Sequence, residues 1–389
     1  MNTNDANAND ANAKKDNQHL QDIEEKKGNS AQPEVITLLP FERRQERLIT
    51  LARAQQAAKQ SSADTPVADK PFSHETPTPP SFAARPLCDP STRSMNDLLS
   101  FGIVVIDKPS GPSSHQTASY VKDILHLSRV GHAGTLDPKV TGVLPVGLGK
   151  GTRALHALLK AGKEYVCLMQ LHGEVGDEQL AAAVSAFTGT ITQLPPVRSA
   201  VRRRERQRTI YYLALLERSG PFVLFRVGCE AGTYIRKLVH DIGQHIGTGA
   251  HMRELRRTKA GPFNETTALC TLQDLKDAFV AWQEEGNEEP LRALIHPAET
   301  AVSHLACIVV NDEAIQRVSN GASIAAKHVY AFSSGLREGE LVAVLTRNGD
   351  LLALARMTLD SSALQPASTA TPSARAAQPE HVFAQPRRA

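Results

Sequence analysis

The chain has 389 residues, is 41% hydrophobic and 22% charged, and carries a formal net charge of +3; at about 150 residues per domain it can hold roughly two or three domains with sizeable cores. No run approaches the ~18 consecutive apolar residues of a membrane span, and the opening residues lack the basic-then-apolar order of a secretory signal. The five cysteines, Cys88, Cys167, Cys229, Cys270 and Cys307, are scattered with no CxxC pair, which argues against a disulfide scaffold or a structural zinc ribbon and predicts a soluble, cytoplasmic protein.

Residues 1–37 read as a disordered low-complexity extension that includes the repeat NDANANDANA; so polar a segment cannot bury enough apolar surface to offset its ordering entropy. Residues 38–100 hold a predicted amphipathic helix over 38–60, then a Pro-rich linker and a lead-in. At Phe101 the composition changes abruptly. FGIVVIDKPSGPSSHQ predicts an apolar strand and a turn rich in Pro, Gly and Ser. Ser114 is placed to cap a helix through about Leu125, with Ala118, Val121, Ile124 and Leu125 on one face.

A helical stretch follows at 152–161, then an alternating strand, EYVCLMQLHG, and a helix at 177–187. A strand pair is predicted at 210–217 and 221–230, with helices at 233–247 and 271–285. Hairpin-like strand pairs mixed with separate helices predict an α+β catalytic domain over 101–299 with a mixed sheet rather than a βαβ repeat. Residues 300–360 predict a small, mostly β domain: a strand at 307–311, a helix from Asp312 to about Ser319, and two β runs joined by the hairpin signal Asn348-Gly349. Residues 361–389, rich in Ala, Pro and Ser, read as a disordered tail.

The small net charge hides an asymmetry. Residues 198–259 hold 14 Lys or Arg against 5 Asp or Glu, whereas residues 1–100 hold 12 against 14. One strongly basic segment in a near-neutral chain suggests a polyanionic partner, or else a solvated Arg-rich loop. There is no P-loop, GxGxxG, HExxH or GxSxG, so the sequence gives no reason to expect a nucleotide cofactor or a metal.

The densest segment is VGHAGTLDPKVTGVLPV at 130–146, with three glycines, two prolines and a single carboxylate. Pro138 holds Asp137 out of a helical conformation, which presents one carboxylate from a rigid loop and suits a nucleophile or base; the plainer alternative is a turn aspartate that caps a helix after it. Tyr165 falls on a strand, where its ring could stack on a base or simply fill the core. Arg236 falls near a helix start, within reach of a carboxylate or phosphate, or exposed to water. PVRSAVRRRERQRT and HMRELRRTK would supply Arg202, Arg203, Arg204, Arg256 and Arg257 to a groove for RNA phosphates.

Taken in order, GHAGTLDPKVTGVLPV, GKEYVCLMQLHG, PPVRSAVRRRERQRTIYY, CEAGTYIRKLVHDIG and GTGAHMRELRRTKAGPF closely resemble the TruB/dyskerin pseudouridine synthases of archaeal type, over about 101–300. NDEAIQRVSNGASI and the hairpin after it resemble a PUA RNA-binding domain, although Ala326-Lys327-His328-Val329 stands where that pattern usually has Pro-Gly. The resemblance implies isomerisation of uridine to pseudouridine without a cofactor. Asp137 would be the catalytic carboxylate, Tyr165 the residue stacked on the target base, and Arg236 the partner of the carboxylate. His132 would help hold the displaced nucleotide, and Leu255 would pack beneath the pocket. It further implies work at uridine 55 of the tRNA T-loop, or in rRNA as the catalytic subunit of an H/ACA ribonucleoprotein with guide RNA and small partner proteins, and no membrane. The alternative from another class is a non-catalytic RNA-binding scaffold.

Overall fold

Gly102–Lys108 carries β-branched residues on both faces and forms a strand buried along nearly its whole length. The computed structural model that shows this describes residues 48–50, 93–195, 204–364 and 373–383. Thr141–Leu148 pairs antiparallel with that strand, and Ala250–Ala260 runs parallel to Thr141–Leu148. Lys163–Leu171, Phe222–Cys229, Arg206–Ser219 and Gly189–Gln193 then follow, each antiparallel to its neighbour. The result is one mixed sheet, as the interleaved strands and helices predict.

Two cores flank it. Around Gly102–Lys108, Leu98, Val121, Leu144 and Leu275 pack between the sheet and the helices Met95–Ser100, Ser114–Ile124 and Leu272–Glu285. Around Lys163–Leu171, the helices Asp177–Ala186 and Ile235–Ile246 close the second core. Leu238, Val239, Ile242 and Ile246 lie on one stripe of the latter helix, which ends at Gly247 in the left-handed region at φ 92°.

The smaller domain is a seven-stranded sheet in which Cys307–Val310, Val329–Ser333, Leu341–Leu345 and Leu351–Met357 are the main strands, with the helix Asp312–Ser319 where the sequence places it. Its apolar residues merge with those of the larger domain: Ile103, Val105, Leu158 and Phe263 belong to the same core as Val309, Ala343, Leu351 and Phe383. A buried carboxylate reinforces the junction. Glu299 (1% exposed) accepts both Arg93 Nη atoms at 2.8 and 3.1 Å and the Leu351 N–H at 3.1 Å.

Four local expectations are corrected. Within the predicted 38–60 helix, Leu48–Thr50 is a strand paired antiparallel with Val329–Ser333, whose free edge offers backbone partners that outweigh helix propensity. The rest of that segment, the 1–37 extension and the Pro-rich linker lie outside the described residues. Ser114 is not the helix cap. Ser113 is, in a reciprocal box with Gln116 (3.1 and 2.8 Å). The helical stretch expected over 152–161 is a 3-10 turn, Gly149–Arg153, and one helical turn, His156–Leu159. The tail expected to be disordered contributes a strand, Arg375–Val382, antiparallel to Leu351–Met357. The small Ala376 and Ala377 are fully buried, and Pro379 sits at a register shift that tolerates its missing N–H.

Candidate active site

The loop 133–140 leaves the short strand Val130–His132 and is pinned at several points before it enters Thr141–Leu148. The Ser114 hydroxyl accepts the Leu136 N–H at 2.8 Å and donates to the Leu136 carbonyl at 3.1 Å. The Gly111 N–H donates to the Pro138 carbonyl, and the Val140 N–H to that of Asp137, both at 2.9 Å. Lys108, with no exposed surface, donates to the carbonyls of Pro109, Pro138 and Val140 at 2.8, 2.9 and 2.9 Å. Burial lowers the pKa of this amine and the nearby Asp137 opposes the shift. The carboxylate of Asp137 thus projects, 57% exposed, from a backbone held on both sides.

Its side chain is ion-paired with Arg236, the second residue of Ile235–Ile246. The start of that helix is fixed from across the sheet. The Tyr234 N–H donates to Gln193 Oε1 at 3.0 Å, while Gln193 Nε2 donates to the Tyr234 carbonyl at 3.2 Å. Gln193 is 1% exposed and ends the strand from which the Arg-rich segment departs. It gave no sequence signal, nor did Ser114 as a loop anchor or Lys108.

Tyr165 lies half-buried on Lys163–Leu171, and Leu255 on the adjacent Ala250–Ala260, opposite Cys167, two positions from Tyr165. Both pack on the core beneath. Burial pushes the Tyr165 hydroxyl above its usual pKa, and the charge of Arg257 opposes this. His132 is half-buried, and its Nδ1 has no partner among the described residues; burial, then the charges of His115 and Arg257, hold its pKa below the usual value. It therefore stays neutral near pH 7. The structure brings Asp137, Arg236 and Tyr165 into one electrostatic neighbourhood and sets His132 at the head of the same loop.

The basic residues fare differently. Arg204 is exposed at the entry to Arg206–Ser219, and Arg202 and Arg203 lie outside the described residues. Arg257, expected to contact phosphate, is 1% exposed and faces inward. Arg256 points the other way but is held by two carboxylates, bidentate to Asp107 (2.8 and 3.0 Å) and to Glu265 (2.6 Å). A cavity of about 380 Å³ opens beside that cluster, lined by Asp107, Pro109, Thr141, Arg256 and Gln273. Asp137 does not line it, and the Asp107–Arg256 pair in its wall is already satisfied.

Lys163 offers a test of the buried charge near the site. It is 7% exposed and donates to the carbonyls of Ala161, Leu158 and Leu159 at 2.7, 2.9 and 3.3 Å. Burial, then the charge of Arg257, lowers its pKa from 10.5 to about 8. Between pH 8 and 10.5 the unfolded chain binds the extra proton, so this residue's contribution to stability rises across that window, by on the order of 3 kcal/mol. Below pH 8 the burial penalty is fully expressed. The buried thiols, Cys229 at about 12 among them, act in the opposite sense at alkaline pH. Subtracting the denaturant-unfolding curves of Lys163→Met from those of the wild type removes their effect. A difference that does not vary with pH would show that Lys163 keeps its proton equally in both states.

Family models match across this region. Residues 122–235 match the N-terminal domain of the TruB family of pseudouridylate synthases, and residues 236–303 match the C-terminal domain of tRNA pseudouridylate synthase B. Residues 307–375 match the PUA domain and 73–118 the DKCLD domain. The chain belongs to the TruB family. It is a pseudouridine synthase, an isomerase. A TruB-family relative from Methanosarcina barkeri, described as "Probable tRNA pseudouridine synthase B", is 54% identical over 280 residues, covering 72% of this chain and 82% of that protein. One of the same description from Methanopyrus kandleri is 51% identical over 267 residues, covering 69% and 79%. Among solved structures, one described as a Cbf5-Nop10-Gar1 complex matches with a TM-score of 0.73 and 46% identity over 76% of this chain and 89% of that one. Another, an H/ACA RNP bound to a substrate RNA containing 2'-deoxyuridine, matches with a TM-score of 0.71 and 44% identity over the same shares.

Proposed function

We propose that this TruB-family chain converts uridine to pseudouridine in RNA with Asp137 as the catalytic carboxylate, working both at uridine 55 of the tRNA T-loop and in rRNA as the guide-dependent catalytic subunit of an H/ACA ribonucleoprotein. The observation that carries the reading is the Asp137–Arg236 pair on a loop whose backbone is pinned on both sides. The target nucleotide leaves its stack at a cost of roughly a few kcal/mol, which contacts to the flipped base offset. Tyr165 packs on that base, Leu255 supports it from below, and His132 helps to hold the displaced nucleotide. Asp137 initiates cleavage of the bond between uracil N1 and ribose C1', the base rotates, and C5 bonds to C1' as C5 gives up its proton and N1 gains one. Arg236 aims the carboxylate. The non-catalytic scaffold reading is disfavoured, because Asp137, Arg236 and Tyr165 are all present and the first two are paired.

The guided role rests on the solved relatives, one described as a Cbf5-Nop10-Gar1 complex and another as an H/ACA RNP bound to a substrate RNA. By that reading this chain takes small protein partners of the same kind, along with guide RNA. The tRNA role rests on the relatives described as tRNA pseudouridine synthase B. No helix among the described residues is long and apolar enough to cross a membrane, and the same reading puts the enzyme in the cytoplasm. Incubating the purified protein with an unmodified tRNA transcript, without guide or partners, and mapping pseudouridine by position tests it. Product at position 55 is expected. If none forms, the stand-alone role falls, and reconstitution with guide RNA and partners decides the guided one.

The Arg-rich segment gives a separate prediction. Changing Arg202, Arg203 and Arg204 to glutamine is expected to weaken tRNA binding and to reduce the slope of log K against log salt by about 2, because each phosphate contact releases counterions. An unchanged slope in a salt titration would mean that this segment does not touch the RNA backbone.

A further inference from the structure

Gln193 is buried at the end of Gly189–Gln193, where it is the register partner of Arg206. Both ends of its amide are taken up by the backbone of one residue, 41 positions away. Oε1 accepts the Tyr234 N–H at 3.0 Å, and Nε2 donates to the Tyr234 carbonyl at 3.2 Å. Tyr234 is the N-cap of Ile235–Ile246 and makes no side-chain cap bond of its own. The helix start therefore lacks the fixing that a Ser, Thr, Asp or Asn cap supplies, and a side chain from another strand holds it instead.

The connection that leads into this helix is tethered at both ends. At its first residue, the Glu230 N–H donates to the Thr209 carbonyl at 2.8 Å, and the Glu230 carboxylate accepts the Thr209 N–H at 3.1 Å. At its last residue, Tyr234, the tether is Gln193. Ile235, Leu238 and Val239, all buried, hold the helix axis against the core. Arg236 stands two residues after Tyr234. Its side chain is 60% exposed and paired with Asp137, so packing around the side chain contributes little to its direction. Its aim depends on where the helix start holds its backbone.

We propose that Gln193 is a positioning residue of the reaction: its amide sets the first turn of Ile235–Ile246 and thereby the direction of Arg236 toward Asp137. It acts through Arg236 and not by contact with the uridine. The arrangement needs one acceptor and one donor on the same planar group, which an amide has and an apolar side chain of equal length does not. A misplacement of about 1 Å near a reacting group can cost on the order of 10²-fold in rate. Gln193 also ends the strand from which the Arg-rich segment departs, so the competing role is in RNA binding, and kinetics separate the two.

The proposal rests on the Asp137–Arg236 pair taking part in the reaction, and the test distinguishes the two. Gln193→Met keeps the length of the side chain and loses both bonds. With folding checked by circular dichroism, kcat is expected to fall at least about tenfold while KM for the RNA substrate stays within about twofold. A crystal structure of the variant is expected to show the first helical turn displaced and Arg236 withdrawn from Asp137. In the Arg236→Ala background, Gln193→Met is expected to cost less than about threefold in single-turnover rate, because the side chain that it aims is gone. An unmoved Asp137–Arg236 pair, a raised KM at unchanged kcat, or fully additive losses would overturn the proposal. If Gln193→Met fails to fold, Gln193→Glu keeps an acceptor for the Tyr234 N–H and removes the donor: a kcat loss that vanishes with Arg236→Ala supports the assignment, and an additive one overturns it. Wild-type turnover in Arg236→Ala would remove the pair from the reaction, and with it the role of Gln193, even where the crystal structure shows the helix start displaced.

Discussion

Replacing Asp137 by asparagine is expected to stop pseudouridine formation, lowering the rate by at least about 10⁴-fold, the scale seen when a residue indispensable to a catalytic unit is removed. The amide has the shape of the carboxylate but neither its charge nor its nucleophilicity. The variant should fold as the wild type does. Asp137 and Arg236 are 57% and 60% exposed, and a solvent-exposed pair of this kind contributes only about 0.2–1 kcal/mol. The backbone on either side is held by Lys108, Ser114 and Gly111 rather than by the aspartate side chain. RNA binding should therefore survive. Mapping pseudouridine on a tRNA transcript, alongside filter binding of the same RNA, separates chemistry from recognition. A variant that still turns over would take the carboxylate out of the reaction.

Lys108→Met is expected to act mainly on stability. Its ammonium satisfies three carbonyls inside the protein, and methionine fills a similar volume with no donor. Each buried acceptor left unsatisfied costs roughly 1–3 kcal/mol, and relief of the buried charge offsets part of the total, which leaves a net loss of about 3 kcal/mol. For a folded unit of this size that corresponds to a fall in Tm of about 6–10 °C. Activity well below the melting transition should fall less steeply, because Ser114 and Gly111 still hold Leu136 and Pro138. Thermal melts and initial rates at a low temperature check the two parts. An unchanged Tm would mean that water replaces the ammonium without cost.

Elements governed by local periodicity were legible in the sequence. The 3.6-residue stripe of Ile235–Ile246, the helix Asp312–Ser319 and the strands on either side of Asn348-Gly349 sit where their patterns place them. Asp137, Tyr165 and Arg236 were legible because their motifs are long and chemically unusual, and the structure pairs the first with the third. What composition hid is the strand Arg375–Val382. Its Ala and Pro look like a solvated tail, yet small side chains are what that tight place in the sheet accepts.

The two adjacent arginines draw the boundary most sharply. By sequence Arg256 and Arg257 are the same letter twice in a basic run, and both looked suited to phosphate. Their place on Ala250–Ala260 sends one to Asp107 and Glu265 and the other inward to the Val143 and Gly134 carbonyls, because successive side chains on a strand point to opposite faces. The sequence by itself determined the family and the fold class, and it singled out the carboxylate proposed to act. Only the tertiary structure decided which basic groups meet solvent and which hold the site together, because burial and partnership depend on strands far apart in the chain: 102–108, 141–148, 163–171 and 250–260.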